Sequence, residues 1–76
     1  MQAILDRNRL KPLQLTTRQK QCVDLLSVGY SPKQIAELLN VSRRTVNYHL
    51  LCLQQRFDSR SLPHLIYQLA QLDYFK

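Results

Sequence analysis

Only two residues, Asn40 and Val41, separate two stretches of helical periodicity, so the first stretch must turn sharply into the second. Downstream of that gap, Ser42 offers a hydroxyl to cap a helix. Nothing from Arg43 to Phe57 is a Gly or Pro that would interrupt it. Val46, Leu50, Leu53 and Phe57 recur at spacings of four, three and four and draw one apolar stripe. The opposite side carries Arg44, Asn47, Tyr48, Leu51 and Gln55, with Arg43 beside them at the start. A plainly solvated face would carry more Glu and Lys. Upstream, Ser31-Pro32-Lys33-Gln34 spells a capping box with proline at the first helical position, where no N–H is required. Ile35, Ala36, Leu38 and Leu39 then line the inner side of a short helix. Asn40 is suited to the left-handed conformation that ends it, and Val41 plugs the corner. A short helix, a tight turn and a longer helix with one polar face form a helix-turn-helix.

The same grammar recurs before and after this unit. Leu15-Thr16-Thr17-Arg18-Gln19 opens a helix, with Thr16 as cap, Gln19 closing the box and Leu15 as the outer residue of a hydrophobic staple. Cys22, Val23, Leu25 and Leu26 supply its apolar face, and Gly29 stands where a left-handed cap belongs, so this helix spans about Thr17 to Val28. Residues 1–14, which include Arg7, Arg9, Lys11 and Pro12, read as an N-terminal arm or linker. After Phe57, Ser61 as cap places Pro63 in the first turn of a last helix running to about Leu72. Arg56 and Arg60 are close enough in sequence to pair with Asp58. In the last helix Leu62, Leu65, Ile66, Leu69, Ala70 and Leu72 cover more than one stripe. One face closes the core, and the surplus forms a second apolar surface looking outward, unless Tyr74 and Phe75 cover it. The expected architecture is all-α, a tetrahelical helix-turn-helix domain over residues 15–76.

Charge indicates what the polar face meets. Eleven Lys and Arg against five Asp and Glu give a net charge of +6, which over 76 residues points to nucleic acid or another anionic surface. Cys22 and Cys52 lie inside apolar helical patterns rather than in loops, which argues against a disulfide framework. No run approaches the roughly 20 apolar residues of a membrane span, and the first ten residues lack the apolar core of a signal peptide. A reducing, cytoplasmic setting follows, with no membrane partner.

Arg43 and Arg44 stand where the first-turn amides of their helix also point outward, so cation and helix dipole add toward a phosphate. Lys33 and Arg18, near the starts of their own helices, are weaker candidates for the same role. His49 and Cys52 are three residues apart, and Cys22 and His64 complete a nominal metal set, but nothing in the sequence brings the four together. No metal or cofactor site is expected. The chain has no glycine-rich phosphate loop, no paired carboxylates and no core large enough for a substrate pocket, so it does not read as an enzyme.

Leu15-Thr16-Thr17-Arg18, Leu25-Leu26, Gly29-Tyr30-Ser31, Gln34-Ile35-Ala36, Leu39-Asn40-Val41-Ser42, Thr45-Val46-Asn47-Tyr48-His49 and Arg60 together resemble the LuxR-type, or GerE-like, DNA-binding domain of bacterial transcription regulators. The resemblance covers about Leu15 to Leu72. It implies that the third helix enters the major groove of double-stranded DNA and that the fourth supplies a homodimer contact, through Leu62, Leu65, Ile66 and Leu69. By position it places Ser42 and Thr45 on phosphates, His49 at a commonly occupied site, and Asn47, Tyr48 and Leu51 toward bases or the adjacent backbone. RNA polymerase is a further candidate partner. The chain departs from the family in carrying Asn47 where Lys is frequent, Leu51 where a polar residue is frequent, and Gln19 and Gln21 where Glu is usual. Region 4 of a sigma factor shares the Leu-Thr-x-Arg opening and is an alternative. A protein-interaction module that uses the Leu62-to-Leu72 face and binds no DNA is another.

Overall fold

A computed structural model describes residues 14–75, which form four helices and no strand. They are α1 (Thr17–Ser27), α2 (Pro32–Leu39), α3 (Arg43–Phe57) and α4 (Leu62–Gln71). The arm expected over residues 1–14 lies outside the described residues except for Gln14.

Each helix starts on the hydroxyl expected of it. Thr16 and Ser31 form full capping boxes: Thr16 Oγ1 accepts from the Gln19 amide at 3.1 Å while Gln19 Oε1 accepts from the Thr16 amide at 3.0 Å. Ser31 and Gln34 repeat the exchange at 3.2 and 2.8 Å. Ser42 and Ser61 cap α3 and α4 by accepting from the amides of Thr45 and His64. Because Ser61 is the cap, Pro63 falls in the first turn, where its missing donor leaves no carbonyl unpaired.

The four helix ends also share one device. Gly29, Asn40, Asp58 and Asp73 all have positive φ. In each case the amide of the left-handed residue returns to the carbonyl three residues back, and the following amide to the carbonyl five back. The pairs are Gly29 to Leu26 and Tyr30 to Leu25, Asn40 to Glu37 and Val41 to Ala36, Asp58 to Gln55 and Ser59 to Gln54, and Asp73 to Ala70 and Tyr74 to Leu69. These Schellman closures satisfy carbonyls that a helix end otherwise leaves open. They also reverse the chain, and two of them carry Val41 and Tyr74 back against the core. Asp58, expected to be an ion-pair partner for Arg56 or Arg60, serves instead as the left-handed residue that ends α3.

The core consists of Cys22, Val23, Ile35, Ala36, Val46, Leu50, Leu53, Leu65 and Leu69, with no buried charged or polar residue among those described. α3 supplies three of the nine and packs against α1, α2 and α4, so it is the central element. Three sequence expectations need correction. Leu38 is 56 % exposed. At ~100° per residue it lies well outside the arc shared by Ile35, Ala36 and Leu39. Leu65 and Leu69, assigned to an outward dimer face, are fully buried. Their arc of α4 meets α3, and a side chain already inside the core has no area left to offer a second molecule. Leu62 and Ile66 remain half-buried, and Ala70, four residues further, is exposed.

Gln68 seals the α3–α4 turn. Its Nε2 donates to the Phe57 carbonyl at 2.9 Å, and its Oε1 accepts from the Ser59 hydroxyl. The backbone amide of Arg60 donates to His64 Nδ1 at 3.0 Å. With both turns flanking α3 closed by side-chain and backbone bonds, the long helix is fixed at each end.

Candidate nucleic-acid interface

The three buried side chains of α3, Val46, Leu50 and Leu53, lie on one arc, which leaves the opposite arc to solvent. Arg43, Arg44, Asn47, Tyr48, Leu51 and Gln55 are exposed, with Tyr48 at 62 % and Leu51 at 50 %. Two large apolar surfaces standing free on a helix whose other side is dry require a partner or a tolerance for water. α3 contains Arg43, Arg44 and Arg56 and no acidic residue in its fifteen positions, so no carboxylate on the helix offsets its cations.

At the start of α3 the geometry suits an anion. The Ser42 hydroxyl accepts from the Thr45 amide at 3.0 Å and also bonds the Thr45 hydroxyl at 2.9 Å. Two hydroxyls sharing one hydrogen bond use one of their two protons, and the other is left to donate outward. The Arg43 and Arg44 amides belong to the first turn, which has no intrahelical acceptor. Two guanidinium groups, outward amides and one hydroxyl proton therefore meet on one turn of helix. Each favours negative charge.

Tyr48 and His49 meet edge to face, with ring centroids 5.9 Å apart at 63°. The nearby Cys52 side chain, more than any loss of solvent, raises the Tyr48 phenol above its ordinary pKa. Cys52 is half-buried and in no disulfide. Thr45 and His49 are half-buried at the edge of the exposed arc, and Lys33 is exposed in the first turn of α2, on a different element from the rest. Arg56 faces elsewhere. Its guanidinium donates to the Gln14 carbonyl at 2.6 Å and lies 5.5 Å from the Phe57 ring centroid, beside a hollow formed with Leu15, Thr16, Gln19, Lys20 and Tyr74. Cys22 is buried in the core, where desolvation raises its thiol pKa against the opposing effect of Arg18. Among the described residues no three His, Cys, Asp or Glu side chains converge as metal ligands would. No helix among them is long and apolar enough to cross a membrane.

The family model described as bacterial regulatory proteins, luxR family, matches residues 13–69, a span that includes all of α1, α2 and α3 and most of α4. The chain belongs to the LuxR family of bacterial regulatory proteins. That membership makes it a helix-turn-helix domain of DNA-binding transcription regulation, and it decides for the LuxR type over the sigma-factor alternative. Three curated relatives agree. The uncharacterized response regulatory protein YgeK of Escherichia coli strain K12 is 38 % identical over 70 % of this chain and 36 % of its own length. The oxygen regulatory protein NreC of Staphylococcus carnosus is 36 % identical over 68 % of this chain and 24 % of its own. The tetrathionate response regulatory protein TtrR of Salmonella typhimurium is 29 % identical over 78 % of this chain and 29 % of its own. The LuxR-type chain thus spans about a quarter to a third of the length of these relatives. No solved structure matches it.

Proposed function

We propose that this LuxR-family domain reads a specific double-stranded DNA site with α3 in the major groove. Ser42, Arg43, Arg44 and Thr45 hold the phosphates, with Lys33 and His49 supporting them. Asn47, Tyr48 and Leu51 face the base edges. The observation that carries this reading is the division of labour along one helix: three arginines and no acid on α3, two of the arginines at its anion-binding start, and an exposed amide, phenol and aliphatic side chain on the turns that follow. Phosphate contacts position a protein and base-edge contacts specify its site. An Asn in this place can pair with adenine through two hydrogen bonds, and a Leu can meet a thymine methyl group.

The domain acts as a homodimer in the cytoplasm, at the nucleoid, with RNA polymerase as a further partner. Leu62 and Ile66, half-buried against the core, and the exposed Ala70 lie on one strip of α4. A hollow lined by Leu26, Ser27, Leu62, Pro63 and Ile66 opens beside it. This strip supports α4 pairing without Leu65 and Leu69.

Selection of duplexes from a random pool, followed by titration across a range of salt, tests the reading. Arg44→Ala should weaken binding to every duplex and flatten the salt dependence by about one unit of slope. Asn47→Ala should cost about 1–3 kcal/mol on the selected site and little on mixed sequence. Equal losses on selected and mixed duplexes would remove Asn47 from the base-reading set. A selected site without two-fold symmetry would count against the dimer.

A further inference from the structure

Base reading by Asn47 alone leaves the centre of the exposed arc of α3 without a role. At about 100° per residue, Arg44, Tyr48, Leu51 and Gln55 point within about 50° of the direction opposite Val46, Leu50 and Leu53, while Asn47 stands about 90° away on the flank. Arg44 belongs to the phosphate-binding first turn and Gln55 to the last turn. The middle turns are left to Tyr48 and Leu51, which are three residues apart and so neighbours on the helix surface. Both are large and both are exposed. His49 meets the Tyr48 ring edge to face, with centroids 5.9 Å apart, and so restrains the ring on this arc. The net charge of +6 and the absence of any acid on α3 suit this face to a polyanion rather than to an apolar protein surface. A helix that enters the major groove with such a face presents apolar surface to base edges. The one methyl group that unmodified B-DNA displays there is the C5-methyl of thymine.

We propose that Tyr48 and Leu51 form an apolar platform that recognises thymine by its C5-methyl group, at base pairs beside the one that Asn47 reads. The proposal rests on the reading of α3 as the groove helix and names the chemical class of site that the helix takes. Burying one methyl group against the Leu51 side chain or the Tyr48 ring favours thymine by about fourfold over the same base without it. Part of the discrimination is then made by shape and apolar contact, with no hydrogen bond to the base.

The test replaces thymine by uracil, one position at a time, in a duplex selected from a random pool. This exchange deletes the C5-methyl group and leaves every hydrogen-bonding group of the pair in place. At one or two positions uracil should weaken wild-type binding by about fourfold each. In Leu51→Ala and in Tyr48→Ala, both altered at exposed positions outside the core, the thymine read by the missing side chain should lose that sensitivity. Cytosine and 5-methylcytosine at a sensitive position supply a second readout, since they differ only in the methyl group. The methylated base should bind about fourfold better. Uracil that stays within about twofold of thymine at every position overturns the proposal. So does an equal uracil penalty in wild type and in the double variant Tyr48→Ala/Leu51→Ala, or a 5-methylcytosine that binds no better than cytosine. Each of these results leaves the groove reading in place, because a selected duplex is still preferred to mixed sequence. A pool that yields no preferred duplex overturns the groove reading and this proposal with it.

Discussion

Leu50 and Leu51 are adjacent on α3 and chemically identical, and the structure assigns them opposite consequences. Leu50 is 1 % exposed and surrounded by core, while Leu51 is 50 % exposed on the opposite arc. Truncating a buried leucine removes its transfer free energy and leaves a cavity that closes only partly, for a total of about 2–5 kcal/mol. A 76-residue chain has roughly 4–11 kcal/mol of stability in all at the usual figure per residue, so Leu50→Ala removes a large fraction of it. For Leu51→Ala about half the side chain is already in water, no cavity forms, and alanine is a slightly better helix former. The net change should stay within about 0.5–1 kcal/mol. In urea, with a slope of about 1 kcal/mol per molar for a domain of this size, the midpoint should fall by about 2–5 M for Leu50→Ala and by less than about 1 M for Leu51→Ala. DNA binding should show the reverse order. Leu51→Ala, fully folded at low denaturant, should bind mixed duplex as wild type does and lose affinity for the selected site. Comparable midpoint shifts for the two variants, or a Leu51→Ala that loses selected and mixed binding equally, would refute the assignment of α3 to one dry and one reading face.

Two further predictions concern the helix ends and the closing aromatic pair. Asp58 places a carboxylate at the C-terminus of α3, where the dipole disfavours negative charge, so Asp58→Asn should keep the left-handed cap and stabilise by about 0.3–1 kcal/mol, read as a higher urea midpoint that shrinks in salt. A lower midpoint would mean that the carboxylate has a partner worth more than the dipole costs. The Tyr74 hydroxyl is buried without a hydrogen bond of normal geometry, and burial, followed by the nearby Asp24 charge, pushes its pKa up to about 12 from an ordinary 10. The folded state therefore keeps a proton that the unfolded state releases between these values. The stability tied to Tyr74 is fully present below pH 10 and is lost as pH rises toward about 12. Tyr74→Phe should remove that part of the alkaline slope and leave neutral stability unchanged or slightly higher, since it deletes an unpaired buried hydroxyl. An alkaline slope identical to wild type would place Tyr74 outside the coupling.

Helix starts were legible from the sequence because the signal is local and chemically specific. Thr16, Ser31, Ser42 and Ser61 each sit three residues before the amide they accept from, and the structure uses all four. Ends were half legible. Gly29 and Asn40 announce a left-handed residue by their low steric cost, whereas Asp58, whose charge suggested pairing with Arg56 or Arg60, and Asp73 adopt the same conformation without that signal. The face of α4 was misjudged for a different reason. Six apolar residues in eleven leave periodicity nearly silent about which arc turns inward, and only the approach of α3 selects Leu65 and Leu69. Links of long sequence separation gave no signal at all. The Arg56 guanidinium on the Gln14 carbonyl spans 42 residues, and a surface cation near a helix end is compatible with many partners.

The candidate reading face divides along the same line. Its existence follows from Val46, Leu50 and Leu53, because a helix with one dry arc must present the other. Which groups are held still on it does not follow, since that depends on side-chain contacts such as those of Ser42 with Thr45 and of Tyr48 with His49. This difference bears on function. The cations at the start of α3 act over a distance and tolerate imprecise placement, so their contribution can be estimated from charge and position alone. Discrimination between bases requires groups fixed to a fraction of an ångström. On this helix the features that restrain them include a hydroxyl pair and an imidazole edge, neither of which is visible in the apolar pattern. Variants that preserve charge and pattern but remove these small restraints should therefore retain affinity and lose selectivity.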